Sequence, residues 1–190
     1  FVYYNYPLDE AIRQTAAAGY QGIDIWGGRP HAYRQDLRER DIAYLCRVIE
    51  EEGLKVASFI PAQFRYPTSL CSPNDVIRED SVRYIQDSIA TAAALGAPIV
   101  SVCPGHSLYG QSKDDALKRL ADSLEEIASF ARRHLVRIAL EPADIYETDI
   151  VPNCRKAQAF LAEIGWDNLG VLLDNGHEIL VKESPTEAVK

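Results

Sequence analysis

The sequence lacks the segments that would tie it to a membrane, a zinc framework or a disulfide scaffold. It has no methionine, and no apolar run approaches the roughly 20 residues of a membrane-spanning helix. No secretory n-region and h-region opens it, and its four cysteines lie far apart without a CxxC pair. We therefore expect free thiols, no membrane contact and a cytoplasmic location, and we expect the sequence to continue beyond both displayed ends.

Positive charge is the scarcer sign, with 20 Lys and Arg against 28 Asp and Glu and a formal net charge of −8 at pH 7. An acidic surface repels phosphate backbones, so we expect no nucleic acid partner. The hydrophobic share of 47% is typical of a globular protein, and 190 residues suffice for a sizeable core. We expect residues 1–190 to belong to a single domain.

Strand and helix patterns alternate along the whole chain, as βαβ architecture requires. Ser72 with Pro73, and Ser112 with Asp115, mark two helix starts. After Ser112, apolar residues at spacings of three and four predict a helix with one buried face. The predicted strands are 1–6, 22–26, 55–60, 98–102, 137–141 and 170–174, and the predicted helices are 8–18, 37–52, 72–95, one following 112, 155–164 and one beginning at 185.

Two α/β folds fit this alternation: an open doubly wound sheet and a (β/α)₈ TIM barrel. The open sheet usually carries a glycine-rich turn after its first strand, and no GxGxxG is present; the one glycine pair, Gly27 and Gly28, follows the second strand. Six units in 190 residues extrapolate to the roughly 250 residues of a full barrel. The pattern therefore favours a (β/α)₈ barrel of which about six βα units are present.

Carboxylates stand at the ends of two predicted strands, where ligands meet both folds. Glu141 follows Ile-Ala-Leu, and the next residue, Pro142, holds it in extended geometry. Asp174 likewise follows an apolar strand core, Val-Leu-Leu. Neighbouring strands lie about 4.8 Å apart, so both acids can share one divalent cation. The alternative for each is a helix cap or an ion pair with arginine, and we favour the metal because the two positions match.

Other polar and aromatic residues follow the predicted strands. His177 lies three residues past Asp174 and is either a metal ligand, a substrate donor or a loop histidine bonded to backbone. His31 and His106 have the same alternatives with weaker support. Trp26 either stacks on a sugar face or fills the barrel.

Several of these segments resemble a known family. The stretch Gly-Tyr-Gln-Gly-Ile-Asp-Ile-Trp-Gly-Gly-Arg-Pro-His-Ala-Tyr at 19–33 resembles the corresponding stretch of the fructoselysine 3-epimerases. Leu140-Glu141-Pro142 with Tyr146-Glu147, and Leu173-Asp174 with His177, resemble motifs of ketose 3-epimerases in the wider xylose isomerase-like barrel superfamily. The first stretch is fairly specific, whereas the Glu-Pro and Asp-x-x-His motifs are common to the superfamily.

The resemblance implies a sugar isomerase or epimerase with one divalent metal ion, which is Mn²⁺, Mg²⁺, Co²⁺ or Zn²⁺. It assigns Glu141 as a metal ligand and catalytic acid/base, Asp174 as a second ligand, and a His and a Glu beyond residue 190 as the others. It places Glu147 and His177 against substrate hydroxyls, with Trp26, His31 and His106 as further candidate substrate contacts. The expected reaction is 3-epimerisation through an enediolate, in a dimer or tetramer acting on a small sugar.

Five other functions compete with this expectation. Hydroxypyruvate isomerase and inosose dehydratase use the same scaffold, and a non-catalytic sugar-binding protein would keep the barrel without the chemistry. An apurinic endonuclease-like phosphodiesterase would need more histidine ligands and a basic groove than four histidines and a charge of −8 provide. Nicotinamide-dependent oxidoreduction is least favoured, because the sequence has no dinucleotide fingerprint.

Overall fold

The computed structural model describes residues 3–189 as alternating strands and helices. A short 3₁₀ helix, Gln63–Arg65, follows the second strand. The strands are β1 (Gly22–Gly27), β2 (Lys55–Pro61), β3 (Ile99–Val102), β4 (Arg137–Leu140) and β5 (Leu169–Val171). The helices are α1 (Leu8–Ala17), α2 (Glu39–Glu51), α3 (Asp75–Ala94), α4 (Lys113–Arg133), α5 (Cys154–Ile164), α6 (Asn175–Leu180) and α7 (Pro185–Ala188).

The order of the strands decides between the two folds. Each strand pairs in parallel with the next one along the chain, giving the sheet order β1-β2-β3-β4-β5. A doubly wound sheet would reverse its strand order at a switch point, and this sheet does not. The sequential parallel order with intervening helices is that of a (β/α)₈ barrel, as predicted.

The prediction of a first strand over 1–6 is wrong for residues 3–6. Residues 1 and 2 lie outside the described residues. Residues 3–6 form a turn in which the Tyr6 N–H donates to the Tyr3 carbonyl at 3.0 Å. Nε2 of His31 lies 3.0 and 3.1 Å from the Tyr3 and Tyr6 carbonyl oxygens. These backbone groups already have hydrogen-bond partners within the turn or in the His31 side chain, so they do not pair with a neighbouring strand. Residues 3–189 therefore contain five strands rather than six.

Two predicted strand ends are also too long. Glu141 lies one residue past β4, although its N–H still donates to the Val102 carbonyl at 2.9 Å and extends the ladder by one bond. Asp174 lies three residues past β5, because its carboxylate caps α6 instead of continuing the strand. Both acids therefore leave the sheet at the same edge, which positions them for a shared site.

The helix starts were predicted with unequal success. Ser112 caps α4, and its hydroxyl accepts from the Asp115 N–H, as predicted. Ser72 does not cap α3; Asn74 does, with its side-chain oxygen accepting from Val76 N and Ile77 N. An asparagine oxygen placed directly before the helix competes well for the free N–H groups, so the cap lies two residues later than predicted.

The core lies between the outward face of the sheet and the helices that cover it. Phe59, Val100 and Ile138 are fully or almost fully buried on β2, β3 and β4. The predicted apolar face of α4, which includes Leu120 and Leu124, is buried and packs against β4. Burial of each large apolar side chain on this face stabilises the fold by about 1.5–3 kcal/mol. Within residues 3–189, no helix has both the length and the apolar character needed to cross a membrane.

Candidate functional site

A cavity of about 550 Å³ lies at the carboxyl ends of the strands, where barrel proteins bind ligands. Each of the five strands, or the segment directly after it, contributes to the wall. Four carboxylates face the cavity, together with one histidine, two aromatic side chains and one arginine. The residues that matter for the chemistry are Asp24, Trp26, Ser58, Gln63, Phe64, Arg65, Cys103, Glu141, Glu147, Asp174 and His177.

Glu141 is half-buried in the cavity, and among residues 3–189 no group donates a hydrogen bond to its carboxylate. Burial raises its pKa, and the charges of Asp174 and Glu147 raise it further, whereas His177 lowers it. A carboxylate in such surroundings is costly to ionise unless a cation neutralises it. The side chain is therefore suited either to bind a cation or to accept and return a proton.

Asp174 caps α6, with Oδ1 accepting from the Gly176 N–H at 2.6 Å. The helix-cap alternative considered for this residue is therefore correct. The cap does not remove Asp174 from the cavity, because its carboxylate also lies in a cluster with Glu141 and His177. One short turn thus fixes the acid and brings the imidazole three residues later to the same edge.

His177 is oriented by the loop that follows β4. The Asp144 backbone N–H donates to Nδ1 at 3.2 Å, and Nε2 faces Oε2 of Glu147 at 3.6 Å. A ring nitrogen that accepts a hydrogen bond carries no proton, so the proton of the neutral ring lies on Nε2. In this tautomer His177 donates toward Glu147 and the cavity, which suits a contact with substrate oxygens better than a bond to a metal.

Glu141, Asp174 and His177 each offer one ligand atom, and these atoms lie within 4.8 Å of one another. The two carboxylates suit Mg²⁺, Mn²⁺, Co²⁺ or Zn²⁺, and His177 would join them as a ligand only in the tautomer that leaves Nε2 unprotonated. No described residue donates a hydrogen bond to the Glu141 carboxylate, and a divalent ion would supply that missing partner. The residues present therefore fit the predicted metal.

Glu147 borders the same cluster from the loop after β4. Burial raises its pKa, although His177 lowers it, and the charges of Asp144 and Asp174 raise it further. The thiol of Cys103 lies nearby in the cavity wall, and burial raises its pKa well above the usual value, with Glu141 and Glu147 adding to the shift. Cys103 is therefore a neutral wall residue and not a thiolate at neutral pH.

Trp26 packs its indole over the glycine pair that the sequence singles out. A Cβ on Gly28 would lie 2.4 Å from the Trp26 ring and 2.8 Å from the Ala62 Cβ, and one on Gly27 would lie 2.4 Å from the Phe59 ring. Only glycine permits this close approach. The indole lines the cavity, so both functions considered for Trp26, a wall for a sugar and a packing element, agree with its position.

The structure does not bring His31 and His106 into the cavity that holds Glu141. His31 contacts the Tyr3 and Tyr6 carbonyls and lines a smaller neighbouring cavity of about 230 Å³. His106 lies half-exposed, 3.4 Å from Asp149, in a pair that connects the loops after β3 and β4. The contacts of His31 match the alternative of a loop histidine bonded to backbone, and His106 likewise has a backbone partner, the Ser107 carbonyl oxygen at 2.7 Å from Nδ1.

The family follows from comparison with known proteins. The model of the xylose isomerase-like TIM barrel family matches residues 12–188. The chain belongs to this family. Among curated members, a fructoselysine 3-epimerase of Shigella flexneri is 27% identical over 168 residues, which cover 88% of this chain and 61% of that protein. An L-ribulose 3-epimerase of Mesorhizobium japonicum is 24% identical over 90% of this chain and 55% of that protein.

A solved structure agrees with the family assignment at the level of the fold. The crystal structure of a D-psicose 3-epimerase in the presence of D-fructose superimposes with a TM-score of 0.85 at 17% identity. The match covers 98% of this chain and 64% of that one. The chain therefore spans less than two thirds of the length of these xylose isomerase-like relatives.

Sequence reasoning missed several residues of this xylose isomerase-like site. Gln63 exchanges hydrogen bonds with the Cys103 backbone, at 2.7 Å to its N–H and 3.4 Å to its carbonyl, and Arg65 follows in the same turn. Asp24 accepts from the Ser58 hydroxyl at 2.6 Å inside the cavity. The alternation in Gly-Ile-Asp-Ile-Trp places Asp24 on the same face as Trp26 and was a usable signal. No comparable pattern marks Gln63 or Arg65, which lie in a loop.

Proposed function

We propose that this protein is a divalent-metal-dependent sugar epimerase, acting on C3 of a ketose or ketosamine. The observation that carries the proposal is the cluster of Glu141, Asp174 and His177 in a cavity at the carboxyl ends of barrel strands. Two relatives that match 88% and 90% of the chain are named for 3-epimerisation, of fructoselysine and of L-ribulose, which agrees with this assignment.

In the proposed mechanism, Glu141 and Asp174 hold the metal ion, and two further ligands, a His and a Glu, are predicted beyond residue 190. A bound divalent ion supplies positive charge that stabilises the anion formed next to the ketone. The family resemblance and the acidic donor set favour Mn²⁺, Mg²⁺, Co²⁺ or Zn²⁺.

Glu141 removes the proton from C3 of the ketose in this scheme. The electron pair left on carbon delocalises into the adjacent carbonyl to give an enediolate, and reprotonation on the opposite face inverts the centre. The acid on the opposite face is the predicted Glu beyond residue 190.

His177 and Glu147 would hold substrate hydroxyls beside the reacting carbon. The Asp144 N–H fixes the ring so that Nε2–H points at Glu147 and into the cavity, which gives one donor and one acceptor for a diol. Trp26 supplies an apolar face against which a sugar ring can stack. His31 and His106 have local backbone and carboxylate partners, so we give them no substrate contact in this proposal. A cytoplasmic location and a homo-oligomer stay predictions.

The first test is epimerisation by the full-length protein after chelation and readdition of Mn²⁺. We expect D-fructose, D-psicose or a fructosyl amino acid to be interconverted with its C3 epimer, followed by chromatography. His177→Gln should lower kcat/KM about 10- to 100-fold without loss of metal, measured by metal analysis of the dialysed protein. Isomerisation between C1 and C2, or dehydration, would contradict 3-epimerisation and favour another enzyme of the same scaffold.

A further inference from the structure

One positively charged side chain lines the cavity together with four carboxylates. Arg65 faces the same space as Asp24, Glu141, Glu147 and Asp174 and is the only Lys or Arg among the described lining residues. Within residues 3–189 no carboxylate lies within 4 Å of its guanidinium, whereas many other arginines of the chain are paired. The cation therefore stands unpaired at the wall of an acidic cavity.

The turn that carries Arg65 is held at several points by buried groups. Gln63 is fixed by both backbone groups of Cys103, and the Ala62 N–H donates to the buried Tyr84 hydroxyl at 3.0 Å. The Thr68 hydroxyl donates to the Gln63 carbonyl at 3.1 Å. The backbone is thus fixed while the next two side chains, Phe64 and Arg65, stay exposed. A cation on a fixed turn loses little freedom when it binds a ligand.

An aromatic ring, not an acid, positions the guanidinium. The Arg65 Cζ lies 5.4 Å from the centroid of Tyr4, whose ring lies 5.3 Å from that of Trp26. Stacking on a ring leaves the N–H groups at the edge of the guanidinium available. Such a fork matches the oxygens of a phosphate or a carboxylate, which it can bind in a bidentate manner.

Distance separates this cation from the reacting end of the cavity. Arg65 follows β2 and Glu141 follows β4, so two strand spacings, about 10 Å, lie between the strand ends. That span accommodates a six-carbon ketose whose C3 lies at Glu141 and whose substituent reaches Arg65. Without a cation, four carboxylates would repel a negatively charged sugar, and Arg65 supplies the one local attraction among the described lining residues.

We propose that Arg65 is a specificity residue that binds an anionic group, phosphate or carboxylate, on the sugar substrate. The inference rests on the proposed epimerase function and narrows its substrate class to anionic ketoses or ketosamines. Phe64 and Trp26 would cover the uncharged part of the same molecule.

The test compares matched anionic and neutral sugars with full-length, Mn²⁺-loaded protein. The pairs are D-fructose 6-phosphate with D-fructose, and N-fructosylglycine with its glycinamide, which keeps the amine and lacks only the carboxylate, so the two anion types are separated. The member that carries the phosphate or carboxylate is called the anionic member, and the other the neutral member. We expect wild type to prefer the anionic member of at least one pair, and Arg65→Gln to lower kcat/KM for it at least 30-fold, mainly through KM. Arg65→Lys should restore part of the loss, and the neutral member should change less than 3-fold.

Arg47→Gln is the matched control, because Arg47 is exposed on α2 and likewise stacks on a tyrosine, Tyr44, outside the cavity. It should leave both members of each pair unchanged. Equal losses for neutral and anionic sugars in Arg65→Gln, or a wild-type preference for the neutral members, would overturn the role of Arg65 while leaving the epimerase proposal intact.

Calorimetric titration of Glu141→Gln protein with the same sugars gives a readout that does not depend on turnover. Tighter binding of an anionic member that is lost with the additional change Arg65→Gln would support the inference even if wild type epimerises none of these sugars. Absence of turnover with every sugar would count against the proposed function alone. Equal binding of anionic and neutral members would count against Arg65.

Discussion

Glu141 combines a functional position with a cost in stability. It is half-buried beside two other acids, and no described residue donates to its carboxylate, so burial raises its pKa. A group whose pKa is raised in the folded state destabilises that state once it ionises. In the presence of chelator at pH 7, the free energy of unfolding of Glu141→Gln should therefore exceed that of wild type by on the order of 1 kcal/mol. Urea unfolding measures this difference.

Addition of Mn²⁺ should reverse this ranking, because the ion stabilises wild type and finds a weaker ligand in glutamine. Glu79→Gln is the control for loss of charge, since Glu79 is exposed on α3 outside the cavity. A Glu141→Gln protein that is less stable than wild type in chelator would mean that the carboxylate has a stabilising partner.

Gly28 fixes the indole that forms one wall of the cavity. A methyl group at this position would overlap the Trp26 ring, with Ala62 close behind it. We expect Gly28→Ala to displace the indole, to raise KM for the sugar several-fold, and to shift the fluorescence of Trp26. The chain has two tryptophans, so the same change is also made in Trp26→Phe and in Trp166→Phe proteins to show which tryptophan gives the fluorescence shift. An unchanged spectrum with normal KM would show that the backbone yields instead.

Glu141 and Asp174 could be singled out from the sequence because each follows an apolar strand core, where a charge is unusual, and their roles stay predictions. Glu141, Asp174 and His177 do lie together. The same reasoning did not foresee that His31 and His106 lie outside this cavity, because their partners, the Tyr3 and Tyr6 carbonyls and Asp149, come from distant segments. Arg65 was not predicted, because a loop arginine becomes notable only when its lack of an acid partner is visible.

At the scale of the helices, local chemistry determined the ends. Asn74 caps α3 with two hydrogen bonds, so Asn74→Ala should cost about 1 kcal/mol and Asn74→Ser much less. Thermal unfolding measures both, and Glu79→Gln, on the exposed face of the same helix, should change little. The start was misplaced at Ser72 because Ser-Pro and Asn-Asp are both good start signals, and sequence alone does not rank them. An Asn74→Ala protein as stable as wild type would contradict this cap assignment.

Asp149 connects the loops that follow β3 and β4. It accepts from the Ser107 N–H at 2.8 Å and from the Ser107 hydroxyl at 2.6 Å, and it pairs with Lys113. Burial raises its pKa, but these hydrogen bonds and charges outweigh burial and the net pKa is lowered. A carboxyl group whose pKa is lower in the folded state stabilises that state at any pH above its pKa in the unfolded state. This stabilisation is lost as the pH falls through the pKa of the folded state.

Asp149→Asn should therefore cost about 1–2 kcal/mol at pH 5 and at pH 7. The difference from wild type should begin to shrink as the pH falls through the unfolded carboxyl value of about 3.9, and it should disappear only below the lowered pKa of Asp149 in the folded protein. Asp167→Asn is the control, because that acid is largely exposed although it pairs with Arg132. A difference that does not shrink as the pH falls from 5 toward the lowest pH at which the protein stays folded would mean that the shape of the side chain, and not its charge, holds the loops.

At the scale of the whole molecule, spacing alone favoured the barrel only moderately over the open sheet, and the order of the strands decided the question. Alternation of strand and helix is shared by both folds, whereas strand order depends on contacts between distant segments. The predicted first strand differs because the Tyr3 and Tyr6 carbonyls face His31, a contact invisible in local pattern. Apolar periodicity predicted the core, and chiefly the buried face of α4.

The central claim, proton abstraction from C3 of a ketose with the help of Glu141 and a divalent ion, has one direct test. The chelated full-length protein is incubated in D₂O with D-fructose, D-fructose 6-phosphate and N-fructosylglycine, with and without Mn²⁺, and deuterium at C3 is followed by NMR. We expect metal-dependent exchange at C3 of at least one sugar, reduced at least 10³-fold in Glu141→Gln. Exchange at C1 or C2 alone, or undiminished exchange at C3 in the variant, would contradict the account.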